Sequence, residues 1–570
     1  MEWIEKLRAA TSLADLAVIL NFTPSGLAHT LYKLDPKYIA FDIPKRSGGV
    51  RRIRAPVPQL KLAQRRLANL LSDCLDDLLK GAPQRRPLAH GFVRKRSIIT
   101  NAALHKRRRY VLNLDLQDYF PSINFGRVRA VFMKDNNWSL QEKVATVIAQ
   151  IACDEHVLPQ GSPCSPVISN VVTHILDVRL ARLARQHKCT YSRFVDDITF
   201  STGRKDFPPE LAYQVPGTHQ WELGAPLRQT IERSGFQINP AKTRMQYRGS
   251  RQMATGLTVN DKVNIRAEYY RFARAMCQHL FTDGSYRRIE DDTAISNLPP
   301  LDGILQHIYR VKNHSDRREA DEKKKKPIAG RKLYRKFLFY KNFVRPRRPL
   351  IVTEGKTDVV YLKYAIRYLT GFHPRLGEME NGKFINALRF LNYTDTVRDV
   401  LQLGGGTGDL SFLINEYRTI EAKYGHRPME FPVIIVVDND AGAREKLFGV
   451  AKSLCNITVT HTSSEAFYHL KHNLYLIKTP SLPDKEQTCI EDFFPPELLT
   501  ITIDGKPFDP NHKHGDHDSY SKQVFAEKII KPQAASIDFK GFVPLLHRIV
   551  AALDDFEGRM GAASPAAAAK

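Results

Sequence analysis

Two adjacent aspartates, Asp196 and Asp197, sit between short apolar runs in YSRFVDDITFS (191–201) and constrain the fold more than any other feature. Neighbouring residues of a straight strand point to opposite faces. Two carboxylates that serve one site must therefore lie where a strand turns back, so the segment reads as strand, Asp-Asp turn, strand. A second apolar run, VLNLDLQDYFPSI (111–123), delivers Asp115 at its end, with Phe120 five residues on. Between them, LPQGSPCSPVISN (158–170) is a Pro/Gly-rich turn entering a helix. Each piece alone has a plain structural explanation as a cap, a solvated turn or a loop. Together they supply one carboxylate from a strand and two from a hairpin, hard oxygen ligands suited to Mg²⁺. Two such ions about 3.5–4 Å apart activate a 3′-hydroxyl and neutralise a leaving pyrophosphate in nucleotidyl transfer.

The chain of 570 residues is long enough for three or four units at about 150 residues each. Its 86 basic and 60 acidic residues give a net charge of +26, which favours a polyanionic partner: nucleic acid first, membrane surface second. The seven cysteines form no CxxC pair, so neither a zinc ribbon nor a disulfide framework is expected, and the pattern suits a reducing cytoplasm. The start shows no signal-peptide pattern and no membrane span. Residues 1–35 read as short helices, 38–56 as a hairpin turning at Ser47-Gly48-Gly49, and 57–80 as an amphipathic helix. Strands and helices alternate from 110 to about 260, and 262–312 is helical in pattern. Charge dominates 316–348, including Lys323 to Lys326 and Arg345-Pro346-Arg347-Arg348, and this marks a boundary.

A second α/β pattern follows. LIVTE (350–354) ends on Glu354, and VIIVVDND (433–440) ends on Asp438 and Asp440. Period-two geometry puts the two aspartates on one face. Sites in parallel sheets form at the carboxyl ends of strands, so Glu354 can converge with them on a metal. Gly404-Gly405-Gly406 lacks the Lys-Ser/Thr of a phosphate-binding loop and reads as a turn. His512, His514 and His517 lie in a polar loop with no cysteine beside them and read as non-ligating. The end, AASPAAAAK, is low in complexity.

The order of the strand-Asp motif, LPQGSPCSP and the Phe-Val-Asp-Asp box resembles reverse transcriptases over roughly residues 38–260. The resemblance implies a right-hand polymerase with fingers and palm in 1–260 and a helical thumb in 261–315. It makes Asp115, Asp196 and Asp197 ligands of a two-Mg²⁺ site and Phe120 the side chain that screens the sugar 2′-position. It also implies that Gln160 and Gly161 line the nucleotide and template pocket. Lys242, in GFQINPAKTR, and Arg51, in the hairpin IPKRSGGVRRIRAP, are implied triphosphate contacts, with Lys45 a weaker one. Asn101 to His105 matches the NAxxH signature of the bacterial retron branch. Met253-Ala254-Thr255-Gly256-Leu257 stands where that branch carries Val-Thr-Gly, with Ala254 in place of Val. Asn101, His105, Thr255 and Gly256 are thereby implied RNA-recognition residues. The branch implies a cognate structured noncoding RNA, dNTP substrates and priming from a guanosine 2′-hydroxyl. Its product is a branched RNA–DNA molecule that the protein retains and that can hold several copies together.

The Glu…Asp-x-Asp order resembles TOPRIM domains of primases, topoisomerases and OLD-type nucleases. The resemblance implies a Rossmann-like parallel-sheet domain over 349–555, joined by a basic linker at 316–348 and ended by a tail at 556–570. The whole chain is thus expected to be multidomain, mixed α/β and α+β. By the same resemblance Glu354, Asp438 and Asp440 bind one or two Mg²⁺. Glu491 and Asp492 match later acidic positions of the nucleases, and Lys522 is a candidate contact to the scissile phosphate. Some retron reverse transcriptases carry a fused TOPRIM domain, whose family role is antiphage defence. Two rival readings remain: a TOPRIM half that only binds or assembles, and a bacterial reverse transcriptase with no dedicated RNA.

Overall fold

Alternating and continuous apolar runs build two five-stranded sheets, one in each compact unit. The computed structural model describes all residues except 1, 46–47, 81–87, 289–292, 444–446, 484, 511, 513–516 and 564–570. The first unit comprises 1–267 and 310–317, and the second comprises 268–309 and 318–570.

In the first unit the strand Tyr110–Gln117 is central. It pairs antiparallel with Asp197–Thr202 on one side and with Gln237–Ile238 and Arg244–Tyr247 on the other; Thr190–Phe194 lies beyond Asp197–Thr202. Leu112, Leu114, Ile198 and Phe200 are fully buried. Each such side chain contributes roughly 1.5–3 kcal/mol relative to exposure. The helices Pro58–Lys80, Glu142–Ala152 and Ser165–Gln186 each bury one apolar face in the same core, with Leu67, Ile148 and Ile168 fully buried. Three short helices, Trp3–Ala9, Leu13–Ile19 and Pro24–Tyr32, join it at the start. The expected hairpin pairs Tyr38–Pro44 with Val50–Pro56, from Tyr38 opposite Pro56 to Pro44 opposite Val50. Gly48 and Gly49 turn it with φ of +87° and +78°, while Ser47 lies outside the described residues.

The second unit holds a five-stranded sheet in the order Arg389–Phe390, Leu350–Thr353, Val433–Val437, Leu474–Lys478, Tyr468–Lys471. The first four strands are parallel and the last is antiparallel. Leu350–Thr353, Val433–Val437 and Leu474–Lys478 are buried at every position. Such continuous burial is the mark of a parallel sheet covered on both faces. Helices Asp358–Tyr368 and Val543–Ala563 pack into its core.

The structure departs from the sequence expectation in two stretches. Within the charge-dense 316–348, a helix forms at Ala329–Phe339 and continues through a π-helical turn, Tyr340–Val344. It buries Tyr334, Phe337, Leu338, Tyr340 and Phe343, and Lys341 pairs with Asp302. Lys332 is exposed, but Arg331 is buried with the aromatic residues and pairs with Asp399, so this helix is part of the second unit's core rather than a plain linker. Residues 556–563, expected as tail, complete the last helix, and Phe556 is buried. Positions 564–570 lie outside the described residues. The expected thumb region carries helices Ala267–Asp283 and Leu298–His314, most of whose length falls in the second unit. Among the described residues no helix is long and apolar enough to cross a membrane, and the seven cysteines are free thiols.

Candidate active site

Register brings the first constellation together. Asp115 lies directly opposite Asp197, and Phe194 pairs with Asp197 across the hairpin, which leaves Val195 and Asp196 at its tip. Carboxylate oxygens of Asp115, Asp196 and Asp197 all lie within 4.8 Å of one another, and among the described residues this is the only such group. Burial, then the charge of Asp115, holds the Asp196 carboxyl above its usual range. The surrounding protein, then the charges of Asp196 and Asp115, pushes Asp197 up to about 6. Lys242 Nζ sits 2.8 Å from Asp115 Oδ2, and Asn239 donates its backbone N–H to the Asp115 carbonyl at 2.8 Å. Three mutually repelling carboxylates beside one ammonium form a site that a divalent cation would satisfy. The residues therefore fit the Mg²⁺ that the sequence implies.

The hairpin tip is clamped by residues that sequence reasoning missed. Val195 has φ of +62°, unfavourable for a β-branched residue. Its carbonyl accepts from Arg193 Nη1 at 2.8 Å. Arg193 is wholly buried and makes a two-pronged pair with Asp177, at 2.7 and 2.8 Å, while Tyr191 donates to the same carboxylate at 2.6 Å. Behind the tip lies Gly91, where a Cβ would stand 2.7 Å from Val195 Cγ2 and 2.8 Å from its nitrogen. Asn170 holds Gly91 by donating to its carbonyl at 2.8 Å. The only sequence signal was an arginine at an inward position of a strand.

The other expected polymerase residues divide. Gly161 has φ of +127° and a Cβ there would meet the Arg54 carbonyl at 2.6 Å, so the glycine lets the Pro-Gln-Gly turn lie against the Val50–Pro56 strand. Gln160 accepts there from the Arg54 N–H at 2.8 Å. Phe120 is half-buried and meets Tyr119 edge-on, with centroids 5.3 Å apart. Arg51 and Lys45 are exposed, and Arg51 is near enough for its charge to act on Asp196.

The implied RNA-recognition residues correct the sequence reading in part. His105 is fully buried, with its ring nitrogens 2.8 Å from Ser201 Oγ and 2.7 Å from Ser192 Oγ. It braces the two strands of the Asp-Asp hairpin through those serines, because the helical turn that carries it packs onto them. Asn101 is also fully buried, and its amide has no protein partner. Thr255 and Gly256 form the tight turn between Met253–Ala254 and Leu257–Thr258, with φ of +47° and +79°. Gly256 is exposed, and Thr255 donates to the Ile98 carbonyl at 3.1 Å.

The second constellation forms at the carboxyl ends of Leu350–Thr353 and Val433–Val437. Burial, then Asp440, pushes Glu354 up to about 7. Burial, then Asp358 and Glu491, pushes Asp438 up to about 8. One Glu354 oxygen, Oε2, is buried without a partner. Lys522 Nζ lies 2.9 Å from Glu491 Oε2. The strand ends at Val437, so alternation does not carry to Asp440; that residue caps the next turn, accepting from the Ala443 N–H at 2.8 Å. Asp358, unmarked in the sequence reading, accepts from the Gly355 N–H at 2.6 Å and belongs to the cluster. Asp492 does not belong to it: it accepts from the Cys489 N–H at 2.8 Å and pairs with Lys485 at 2.7 Å, a capping role. The Gly404–Gly406 turn lies against Glu354, whose carbonyl accepts from the Gly406 N–H at 2.9 Å. His512 contacts Ser519 Oγ at 2.8 Å, and His514 lies outside the described residues.

Comparison with known proteins matches residues 43–265 to the family "Reverse transcriptase (RNA-dependent DNA polymerase)". The Retron Mx65 reverse transcriptase of Myxococcus xanthus is 34% identical over 303 residues, 50% of this chain and 64% of that protein. The Retron Mx162 reverse transcriptase of the same organism is 37% identical over 242 residues, 39% of this chain and 47% of that one. The chain thus spans about half to two thirds of the length of these two relatives. The Retron Ec83 reverse transcriptase of Escherichia coli is 32% identical over 283 residues, 48% of this chain and 83% of that protein. With the three carboxylates assembled in the matched segment and a relative covered over most of its length, the chain belongs to the retron reverse transcriptase family.

Proposed function

We propose that the first unit is an RNA-directed DNA polymerase that copies part of a cognate structured RNA into short DNA. The supporting observation is the meeting of Asp115, Asp196 and Asp197 oxygens within 4.8 Å at a clamped hairpin tip. Asp115, Asp196 and Asp197 would hold Mg²⁺, which supplies charge neutralisation and an activated oxygen nucleophile when bound. Lys242 shields Asp115 and, freed from it, reaches toward the phosphates of an incoming nucleotide. Phe120 and the Gln160-Gly161 turn shape the pocket for the sugar and base. The exposed fingers hairpin presents Arg51 to the triphosphate. Priming from a guanosine 2′-hydroxyl and retention of the branched product, with oligomers held by it, are part of the same reading.

In the second unit the reading is a TOPRIM-type, metal-dependent phosphodiesterase that serves as an antiphage effector. The parallel sheet order, the carboxylates at its strand ends and the unpartnered Glu354 oxygen support it. Glu354, Asp438 and Asp440 would hold the ion, with Asp358 and Glu491 behind them. A purely binding or assembly role draws support from Lys522, which already supplies a cation to Glu491.

The test is purification of the chain expressed with its native upstream DNA, beside an Asp196→Ala/Asp197→Ala variant. A short DNA that changes size on RNase treatment and is absent from the variant is the expected result. An active, folded protein with no bound DNA would remove the dedicated-RNA reading. Mg²⁺-dependent nicking that disappears in Glu354→Ala is expected of the second unit; nicking that persists would leave it a binding module.

A further inference from the structure

The sheet edge of the second unit carries a cavity of about 950 Å³, whose lining includes none of the clustered carboxylates. Its walls come from the helix Asp358–Tyr368, the edge strand Arg389–Phe390 and the hairpin of Gly377–Glu380 with Lys383–Asn386. Cations line it from three separate stretches: Arg347 and Arg348, Lys363 and Arg367, Lys383 and Arg389. Among the described residues no carboxylate lines it. Among the described residues none of these six makes an ion pair; the seventh cation, Lys531, is matched by Glu527. Such a surplus is unusual, because exposed cations are ordinarily interspersed with acids.

Three of the six are oriented by uncharged partners, Arg347 among them, whose Nη2 donates to Asn297 Oδ1 at 3.2 Å. Arg389 is half-buried and donates to Asn342 Oδ1, and Arg348 Nη1 donates to the Asn386 carbonyl at 3.1 Å. Burial, then the nearby Arg347 charge, holds the Arg389 pKa below its usual value. The guanidinium thus lacks the counter-charge that its setting calls for. Aromatic rings complete the walls. Tyr364 and Phe384 are half-exposed, and Lys363 Nζ lies 5.4 Å from the Phe390 ring centroid. Flat rings among unpaired cations are the combination that holds single-stranded nucleic acid: phosphates on the cations, bases stacked on the rings.

We propose that this cavity binds a short stretch of single-stranded nucleic acid, two or three nucleotides of RNA or DNA. It deepens the reading of the second unit as one that handles nucleic acid and rests on that reading. The volume is at the upper end for a pocket that takes one small ligand. The cations follow the wall through three chain segments, which suits a backbone with one charge per nucleotide better than a single triphosphate.

The test uses the full chain, stripped of retained nucleic acid at high salt, and hexamers of RNA and DNA carrying 5-iodouracil. Photocrosslinks are mapped by mass spectrometry. The expected result is a crosslink at Tyr364 or Phe384. It falls about tenfold in a Lys363→Gln/Arg367→Gln/Lys383→Gln variant, whose binding at this site loses about two units of salt slope at about 0.7 per cation. A preference for RNA or for DNA names the source, and either supports the proposal. Crosslinks confined to residues 43–265, or undiminished in the variant, overturn it. Displacement by dTTP or tripolyphosphate as effective as by unlabelled hexamer also overturns it, in favour of a phosphate pocket. DNA synthesis on an added template is measured in parallel and is expected to be unchanged in the variant; Mg²⁺-dependent nicking is scored as well, so that nicking without the crosslink overturns this site alone, whereas loss of both overturns the second-unit reading with it.

Discussion

Three carboxylates that share one small volume repel each other unless a cation joins them, and Lys242 meets only part of that need. Asp197→Asn is expected to lower DNA synthesis by on the order of a hundredfold or more, while the melting temperature measured in EDTA holds or rises because a repulsion is removed. A primer-extension assay and a thermal melt check both halves. The histidines give a pH signature of the opposite sense. Burial holds His105 down at about 3 and His90 at about 4, against 6.5 for the free side chain. The folded chain keeps both rings neutral while the unfolded chain takes up protons below about 6.5. Their contribution is therefore complete above about 6.5 and is lost as pH falls toward about 4 and 3. Asp197, with its raised pKa, gains stability on acidification and partly offsets this. The readout is consequently a difference: the stability advantage of wild type over His105→Gln, in EDTA, narrows from pH 7 to pH 5. An advantage that stayed constant across that range would sink the assignment of a neutral, bracing His105. Asp115, Asp196 and Asp197 were legible because strand periodicity and the turn expose them in sequence. Arg193 and Asp177 were not, because nothing local tells which charged residue of a strand or helix turns inward to meet a partner 16 residues away.

A β-hairpin with a β-branched residue in the left-handed region holds its shape only when its surroundings over-determine it. Arg193, Asp177 and Gly91 do so here. Arg193→Met leaves Asp177 buried without its partner, and the expected loss is about 3–5 kcal/mol, read as a drop in the first unit's unfolding transition. Gly91→Ala drives a methyl into Val195 and is expected to cost about 1–3 kcal/mol. It should also lower primer extension, because the displaced backbone carries Asp196. Wild-type extension rates from a stably folded Gly91→Ala protein would show that the clamp does not position the carboxylates. The amphipathic period of Pro58–Lys80 and the unbroken apolar run of Val433–Val437 were readable from sequence. The helix Ala329–Phe339 was hidden because it lies in a stretch rich in lysine and arginine, and only the spacing of Tyr334, Phe337 and Leu338 betrays a buried face. The carboxyl-end cluster was readable for Glu354 and Asp438. Its Asp358 member was not, because an acid in the first turn of a helix is ordinarily a capping residue.

A net charge of +26 gives the molecule long-range attraction for polyanions. Binding of the cognate RNA is expected to weaken steeply with salt, by roughly 0.7–0.9 log units per phosphate contact per decade of salt concentration. Filter binding at several concentrations measures that slope, and a flat dependence would argue for recognition without the basic surface. The two carboxylate clusters belong to different units, so Asp196→Ala should abolish DNA synthesis without altering any metal-dependent nicking by the second unit. The path of the chain bears on how such a molecule can be dissected. It leaves the first unit at Ala267, builds Glu268–Tyr309 into the second, returns for Arg310–Arg317 and departs again. No single scissor cut yields two whole pieces. A fragment ending at 267 forfeits Val311, which is fully buried, and one ending at 317 drags along Leu301, Leu305 and Ile308 stripped of their packing. Both fragments would be prone to aggregate. Each unit is therefore expected to be obtained intact only from the whole chain.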